Sequence, residues 1–354
     1  DKNLQGVLVS SLHDYKSVKS PSLLVEEALM NPIGSERLSK LAEGKRKVVL
    51  ICSDHTRPVP SKVIVPPMLR EIRKGNPDAE VTIVISTGCH RPTTREELIA
   101  KFGEEIVEKE NIVIHKADES PVTFLGVLPS GGEILINTIV AEADLVCSEG
   151  FIEPHFFAGF SGSRKSILPG VASRTTVLAN HCSEFIASPY SRTGILEGNP
   201  IHRDMVWAAR KAGLAFICNV VINSEKEPIY AVAGDAEKAH EEGCRFLSSL
   251  CRVKAKKADI VISTNGGYPL DQNIYQAVKG MTAAEATVNE GGVIIMLAAS
   301  NDGLGGDDFY HQMADEKDIH KTMALFLSRG RNETVPDQWQ TQIFLRILMK
   351  ATVV

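Results

Sequence analysis

The sequence predicts an α/β fold with largely parallel sheets, and two observations support this prediction. Short runs of β-branched and apolar residues, at 47–52 and 81–86, alternate with longer segments of helical pattern. Each of these runs ends in a polar turn, and a helix is predicted after it, over residues 61–74 and from Arg95 onward. This order is typical of parallel sheets, in which ligands bind beyond the carboxyl ends of the strands.

The same pattern continues along the rest of the chain. Further strands are predicted over residues 6–10, 145–148, 216–222, 258–264 and 291–297. The 354 residues are enough for two domains, and a short basic stretch at residues 252–257 interrupts the apolar pattern. We therefore predict an N-terminal α/β domain over residues 1–253 and a C-terminal α/β domain over residues 254–354.

Composition and charge exclude several classes of protein. The formal net charge is −5 and no basic run alternates with aromatic residues, so a nucleic-acid partner is not expected. No apolar run is long enough to span a membrane, and no signal peptide is visible. The seven cysteines include no Cys-x-x-Cys pair, which favours reduced structural thiols. We therefore expect a cytoplasmic protein.

The segment at residues 153–165 combines several groups that carry chemistry. Its glycine-containing turn lets backbone N–H groups approach a phosphate closely. It matches neither the Walker spacing nor the Gly-x-Gly-x-x-Gly pattern. Contact with a phosphate, a covalent link to a cofactor and simple solvation are three roles that the residues alone leave open for Lys165.

Three histidines lie in polar loops rather than on apolar helix faces: His90, His155 and His181. Imidazole binds metals and carries protons near neutral pH. A single loop histidine is usually solvated or caps a turn. Three of them beside strand ends or glycine turns favour a functional site, although spacing does not decide which binds a metal.

Other polar residues are candidates for binding an anion. Arg57 and Lys279 are suited to a carboxylate, and Tyr275 shares a helix face with Lys279. The alternatives are surface ion pairs for the two cations and a half-buried core position for the tyrosine. Asp54, which follows a strand, either holds a cofactor hydroxyl or forms a turn.

Four long segments resemble the nickel-dependent lactate racemase family. They cover residues 53–60, 88–94, 155–165 and 265–280, and they occur in the family's order. The resemblance extends along nearly the whole chain and implies two α/β domains with the active site in the cleft between them. One departure is Ser163, which stands where the family's Ser-Gly-Gly-Arg-Lys pattern has its second glycine. A negative φ at this position would make the change easy.

The resemblance also implies a cofactor and a set of site residues. The cofactor is a nickel-pincer nucleotide (pyridinium-3-thioamide-5-thiocarboxylic acid mononucleotide), linked covalently to Lys165, with His181 as the nickel ligand. His90 and His155 are implied as the catalytic acid and base. Binding of substrate is implied for Arg57, Tyr275, Lys279 and Trp339, and binding of cofactor for Asp54, Gly159, Ser161, Gly162 and Gln276.

The predicted function is therefore racemisation of L- and D-lactate by loss and return of the C2 hydride. The same chemistry on malate or 2-hydroxyglutarate is an alternative that would need another cation for the second carboxylate. An oxidoreductase using dissociable NAD and a protein that stores the cofactor are alternatives of different classes. The expected partners are a small 2-hydroxy acid and the enzymes that make the cofactor.

Overall fold

A computed structural model describes residues 3–354 of the chain. Its strands are β1 Lys47–Ser53, β2 Glu80–Ser86, β3 Asn111–Ile114, β4 Val122–Val127, β5 Glu133–Asn137, β6 Leu145–Phe151, β7 Pro154–His155, β8 Gly159–Phe160, β9 Leu214–Ile222, β10 Pro228–Gly234, β11 Ala258–Thr264, β12 Val288–Leu297 and β13 Thr352–Val353.

The helices alternate with these strands along most of the chain. They are α1 Pro21–Met30, α2 Leu38–Ala42, α3 Ser61–Gly75, α4 Arg95–Phe102, α5 Glu104–Lys109, α6 Thr138–Ala141, α7 Arg174–Asn180, α8 Ser183–Ala187, α9 Pro200–Lys211, α10 Lys238–Cys251, α11 Ile274–Glu285, α12 Asp307–Ala314, α13 Ile319–Ser328 and α14 Gln338–Lys350. Within residues 3–354, no helix is both long and apolar enough to cross a membrane.

The main sheet has six strands in the order β10-β9-β6-β1-β2-β3. All neighbouring strands are parallel except β10 and β9, which form an antiparallel edge. The run from Val48 to Cys52 is buried because helices and loops cover both faces of the sheet. Side chains of β1 contribute alternately to two apolar clusters, so the strand is held firmly and positions the loop that follows it.

A second, smaller sheet has the order β11-β12-β13, and its strands are also parallel. Helices α11 and α14 pack beside it, and their apolar residues belong to the same cluster that covers one face of the main sheet. The predicted α/β class with largely parallel sheets is confirmed. The division at residues 253 and 254 stays a prediction.

The predicted strand at residues 6–10 is wrong, because that segment forms no strand. Its apolar residues Val7, Leu8 and Val9 are exposed. Local β-propensity without a neighbouring strand to bond is not enough to form a strand, because the backbone groups need partners. The other predicted strands are present.

Candidate active site

A cleft of about 880 Å³ lies beyond the carboxyl ends of β1, β2 and β6. Helix α11, the loop after β12 and the start of α14 form the opposite wall. The structure brings twelve of the thirteen predicted site residues to this cleft: Asp54, Arg57, His90, His155, Ser161, Gly162, Lys165, His181, Tyr275, Gln276, Lys279 and Trp339.

The thirteenth residue, Gly159, is not among the residues that line the cleft. Its φ is +78°, and a Cβ at this position would lie 2.3 Å from the carbonyl oxygen of Ile195. Glycine is therefore required here by the turn and by a close backbone contact. Its predicted role in binding a cofactor stays a prediction.

His90 follows β2 and is hydrogen-bonded to a buried carboxylate from the loop after the neighbouring strand β1. Its Nδ1 lies 2.7 Å from Oδ2 of Asp54, whose exposed fraction is 2%. Thr56 donates from its hydroxyl to the other carboxylate oxygen at 2.7 Å, and Arg57 donates to that hydroxyl. Burial alone would raise the pKa of Asp54, but His90, Arg57 and Thr56 outweigh it and hold that pKa below its ordinary value. An ionised Asp54 keeps a proton on Nδ1 of His90, which leaves Nε2 as a free base.

His155, in β7, has the opposite hydrogen-bonding role at Nδ1, which accepts rather than donates. Its Nδ1 accepts hydrogen bonds from the backbone N–H groups of Ala158 at 3.2 Å and Phe157 at 3.5 Å. The neutral ring therefore carries its proton on Nε2. Burial, together with Lys165 and Lys279, lowers the pKa of His155 well below its ordinary value. The ring is therefore uncharged in the folded protein.

His181 follows the last turn of α7, which begins at an N-cap formed by Ser173. Its Nδ1 lies 3.0 Å from the carbonyl oxygen of Val177, so Nδ1 donates and Nε2 keeps a free lone pair. Burial and the charge of Lys165 lower the pKa of His181 to about 3. A neutral imidazole with a fixed tautomer is the form that binds a metal ion.

Three cationic side chains face this cleft without a paired carboxylate. Within residues 3–354, none of the ion pairs involves Arg57, Lys165 or Lys279. Burial, with the charges of Arg164, Arg57 and Lys279, lowers the pKa of Lys165 well below its ordinary value. The amine therefore reaches its uncharged, nucleophilic form more easily than a solvated lysine.

The opposite wall presents hydrogen-bonding groups that are held in place. The indole Nε1 of Trp339 donates to the hydroxyl oxygen of Tyr275 at 2.8 Å, which leaves the tyrosine proton for another acceptor. The Trp339 ring also packs edge-on against His181, with ring centroids 5.0 Å apart. Gln276 is buried in the first turn of α11, and its Oε1 has no partner among the described residues.

The residues present fit a metal that arrives with an organic ligand. Within residues 3–354, no three His, Cys, Asp or Glu side chains are arranged to hold a metal ion. The chain nevertheless supplies one imidazole nitrogen with a free lone pair at His181 and an unpartnered buried acceptor at Gln276. This donor set fits the predicted nickel-pincer nucleotide, in which the organic group provides most of the nickel ligands.

Sequence reasoning missed two acidic residues of the site. Glu153 is half-buried near Lys279, Arg57 and Lys165, beside the residues that line the cleft. Burial raises its pKa although these cations oppose the shift. Asp337 lines the cleft in a left-handed conformation with φ +59°. Burial and the nearby Asp308 raise the pKa of Asp337 to about 6. The position of Glu153 at the start of the 153–165 segment was the one available signal.

Ser163 adopts a backbone conformation that usually requires glycine. Its φ is +48°, so the serine occupies the left-handed region that favours glycine. Its backbone N–H donates to Oδ1 of Asn219 at 2.9 Å, and its hydroxyl donates to the carbonyl of Ala236. These bonds hold the turn in a conformation that the family pattern leaves to glycine.

Models of one protein family match both ends of the chain. Residues 1–194 match the lactate racemase N-terminal domain, and residues 253–354 match the lactate racemase C-terminal domain. The lactate racemase of Thermoanaerobacterium thermosaccharolyticum is 58% identical over 355 residues, which cover 100% of this chain and 83% of that protein. The lactate racemase of Lactiplantibacillus plantarum is 56% identical over 350 residues, or 99% of this chain and 82% of that protein.

Solved structures agree with these sequence relationships. The structure of the lactate racemase apoprotein from Thermoanaerobacterium thermosaccharolyticum has a TM-score of 0.94 and 57% identity, and the match covers 100% of this chain and 83% of that chain. A protein from Thermotoga maritima has a TM-score of 0.71 at 19% identity, over 94% of this chain and 84% of that chain. This second match is a similarity of fold alone.

The α/β fold and these matches define an enzyme of the isomerase class. The chain belongs to the lactate racemase family. The predicted family and the predicted enzyme class are therefore confirmed.

Proposed function

We propose that this protein interconverts L- and D-lactate by removing the C2 hydride and returning it to the opposite face of the carbon. One observation carries the proposal. A neutral buried imidazole (His181), a buried lysine amine (Lys165) and two imidazoles bonded in opposite senses (His90 and His155) all line one cleft.

Arg57 and Lys279 bind the substrate carboxylate in this proposal. Both line the cleft, and within residues 3–354 neither belongs to an ion pair. Burial and the charge of Arg57 lower the pKa of Lys279 to about 7, and an entering carboxylate favours its charged form. Two further arginines on the cleft wall are already engaged: Arg91 with Glu97 and Arg174 with Asp118, each through two short hydrogen bonds. A second carboxylate would have to break one of these pairs. The cleft therefore favours lactate over malate or 2-hydroxyglutarate.

His90 accepts the proton of the substrate hydroxyl. Its Nε2 is the free base, and Asp54 on the other side of the ring stabilises the imidazolium that forms. Loss of this proton and of the C2 hydride converts the hydroxy acid to a planar 2-keto acid. General base catalysis of this kind contributes about 10²–10⁴-fold to the rate.

His155 serves the same oxygen after the planar keto acid has rotated. Its Nε2–H first donates a hydrogen bond to that oxygen. To protonate this oxygen without becoming an anion, His155 must first take up a proton from solvent, which the cations Lys165 and Lys279 oppose. His90 releases to solvent the proton that it accepted, so the cycle balances. The substrate carboxylate offsets these charges and so makes protonation of His155 easier.

When it is bound, the nickel-pincer nucleotide supplies the acceptor that takes the C2 hydride and gives it back. In the proposal, Lys165 carries the group covalently and His181 binds nickel through Nε2. Gln276 and Asp54 line the same cleft and would contact the nucleotide, and the turn containing Ser161 and Gly162 would approach its phosphate. The hydride returns to the molecule that lost it, so no dissociable NAD is consumed.

Deuterium at C2 of L-lactate tests the direction of hydrogen transfer. Loaded enzyme is expected to form D-lactate that keeps the deuterium, which mass spectrometry of the separated enantiomers measures. Exchange of the deuterium with water during turnover would show that a proton leaves C2 instead, and it would overturn the proposal. Malate and 2-hydroxyglutarate, offered under the same conditions, test the substrate class.

Intact mass and a nickel assay test the cofactor. Protein from cells that make the nickel-pincer nucleotide is expected to carry one added mass on Lys165 and about one equivalent of nickel. Lys165→Arg should lose the added mass and the activity, whereas Lys116→Arg, at an exposed lysine, should keep both. Unmodified wild-type protein from such cells would contradict the proposal and favour a different cofactor.

A further inference from the structure

Arg164 precedes the lysine of the active site, yet its side chain points into the protein interior. Its exposed fraction is 2%. Nη2 donates to the carbonyl oxygens of Ala158 at 2.9 Å and Phe160 at 2.8 Å, and Nη1 donates to those of Ser161 and Gly162, both at 3.2 Å. One guanidinium thus binds four carbonyl groups of a single turn.

The remaining contacts of Arg164 are with two neutral histidines. Nε donates to Nδ1 of His202 at 3.1 Å, and Nη1 lies 2.9 Å from Nε2 of His240. Within residues 3–354, no ion pair includes this arginine. Burial lowers the pKa of Arg164 to about 10, so the guanidinium remains charged at neutral pH.

A buried charge without a carboxylate partner is costly unless its hydrogen bonds are complete. Here all five N–H groups have acceptors: Nε donates to His202, and the four N–H groups of Nη1 and Nη2 donate to carbonyl groups of the turn. Arg164 lines a separate cavity of about 110 Å³ rather than the main cleft. It therefore acts on the cleft only through the backbone that it holds.

Ala158 connects this arginine to a histidine of the proposed reaction. Its carbonyl accepts from Arg164, and its N–H donates to Nδ1 of His155. At the other end of the turn, Ser163 adopts its left-handed conformation as the first residue of the short 3₁₀ turn that contains Lys165. The shape of the turn thus fixes both the ring of His155 and the start of the lysine side chain.

We propose that Arg164 is a positioning residue of the active site: its guanidinium fixes the turn at residues 158–162 and thereby the places of His155 and Lys165 on the cleft wall. The effect on catalysis rests on the proposed function. The effect on the turn does not, so the two can fail separately.

Hydrogen exchange in the protein without cofactor tests the structural half. Arg164→Met removes every donor at similar length, and Arg164→Lys keeps the charge but not the fork. Amides of residues 156–163 are expected to exchange about ten-fold faster or more in Arg164→Met. The matched control is Arg192→Met, because half-buried Arg192 also binds carbonyl groups, those of Ser188 and Ser191, outside the cleft. Unchanged exchange at residues 156–163 in Arg164→Met would overturn the proposal.

Loaded enzyme tests the functional half. The kcat of Arg164→Met is expected to fall about 10²-fold, with a smaller change in KM and a lower fraction of modified Lys165 by mass. Arg164→Lys should recover only part of kcat, because one ammonium cannot bind four carbonyl groups. A loss of kcat that merely follows the folded fraction, measured by thermal unfolding beside Arg192→Met, would overturn the positioning role.

His240→Ala and His202→Ala keep the test decisive if Arg164→Met does not fold. Each removes one neighbour of the guanidinium, and His240 also lies 2.8 Å from the carbonyl of Ser161. Faster exchange confined to residues 156–163 is expected in His240→Ala. Unchanged exchange there in both variants would count against the proposal. If wild-type protein carries no cofactor on Lys165, the proposed function fails while the exchange result still decides this inference.

Discussion

His90 and His155 line the same cleft, but their ring nitrogens meet opposite kinds of partner. His90 presents Nδ1 to the carboxylate of Asp54 and keeps 30% of its side chain exposed. His155 presents Nδ1 to two backbone N–H groups, is buried, and lies among cations. One ring is thus set as a base, and the other is set as a hydrogen-bond donor.

This difference shows that two chemically identical side chains need not share their roles equally. A carboxylate stabilises an imidazolium at His90, whereas Lys165 and Lys279 oppose one at His155. In the proposed cycle, both imidazoles exchange protons with the same oxygen. The protonation of His155 is then the step that depends most on substrate charge in the cleft.

Removal of either histidine is expected to have the largest effect. His90→Asn and His155→Asn should each lower racemisation about 10²–10⁴-fold in both directions, because one catalytic cycle uses both rings. Rates from L- and from D-lactate, measured on loaded enzyme, check this. His115→Asn is the control, since His115 is buried outside the cleft and bonds the carbonyl of Ala172. A variant at His90 or His155 that keeps its rate in one direction would contradict the shared cycle.

Asp54→Asn should change the tautomer of His90 and leave that of His155 unchanged. The amide donates where the carboxylate accepted, so Nδ1 of His90 loses its proton and the base is misplaced. We expect a loss of about 10²-fold or more in kcat. Nitrogen-15 shifts of the imidazoles should show opposite tautomers for His90 and His155 in the wild type, and a change at His90 only in the variant. Asp144→Asn, at a carboxylate bonded to the backbone of Arg46 and Lys47, is the control.

Trp339→Phe, on the opposite wall of the cleft, should have a smaller effect on activity. The variant loses the N–H bond to Tyr275 but keeps a ring beside His181. One hydrogen bond of about 1 kcal/mol corresponds to about a five-fold change in kcat/KM. Steady-state kinetics with both enantiomers measure it. Because Tyr275 is predicted to bind substrate rather than to transfer a proton, KM should change more than kcat. A larger change in kcat would instead place the indole of Trp339 in proton transfer.

Asp337→Asn should give the smallest effect, and it concerns stability. The pKa of this carboxyl rises from 3.8 to about 6 on folding, so between those values the folded protein binds more protons than the unfolded chain. Stability therefore falls as pH rises through this window. The variant should unfold on the order of 2 °C higher at pH 7 and show little gain near pH 4. Thermal scans beside Asp315→Asn, at an exposed carboxyl, test this; an equal gain at both pH values would contradict it.

Much of the fold followed from local pattern. Continuous apolar runs such as residues 47–52 indicated strands covered on both faces, and the polar turns after them located the rim of the cleft. The prediction of a strand at residues 6–10 was wrong because a strand needs a hydrogen-bonded neighbour, which the local residue pattern does not show. The motif residues reached the cleft together because parallel strands end at the same edge of a sheet.

Other properties of the site could not be read from the residues alone. The proton of His155 is placed by the N–H groups of Ala158 and Phe157, and the turn that holds them is bound by Arg164. Two further residues were placed by the fold rather than by local pattern. Asp337 lines the cleft although it was not predicted to, and Gly159 was predicted to bind the cofactor but packs against Ile195.

The class of fold, the family and most of the side chains that meet at the cleft follow from the amino-acid sequence, because repeated patterns and long motifs encode them locally. The folded structure is needed to tell which imidazole nitrogen carries a proton and how easily the amine of Lys165 loses its charge. Both properties depend on burial and on distances to groups far away in the chain, and packing alone sets those distances.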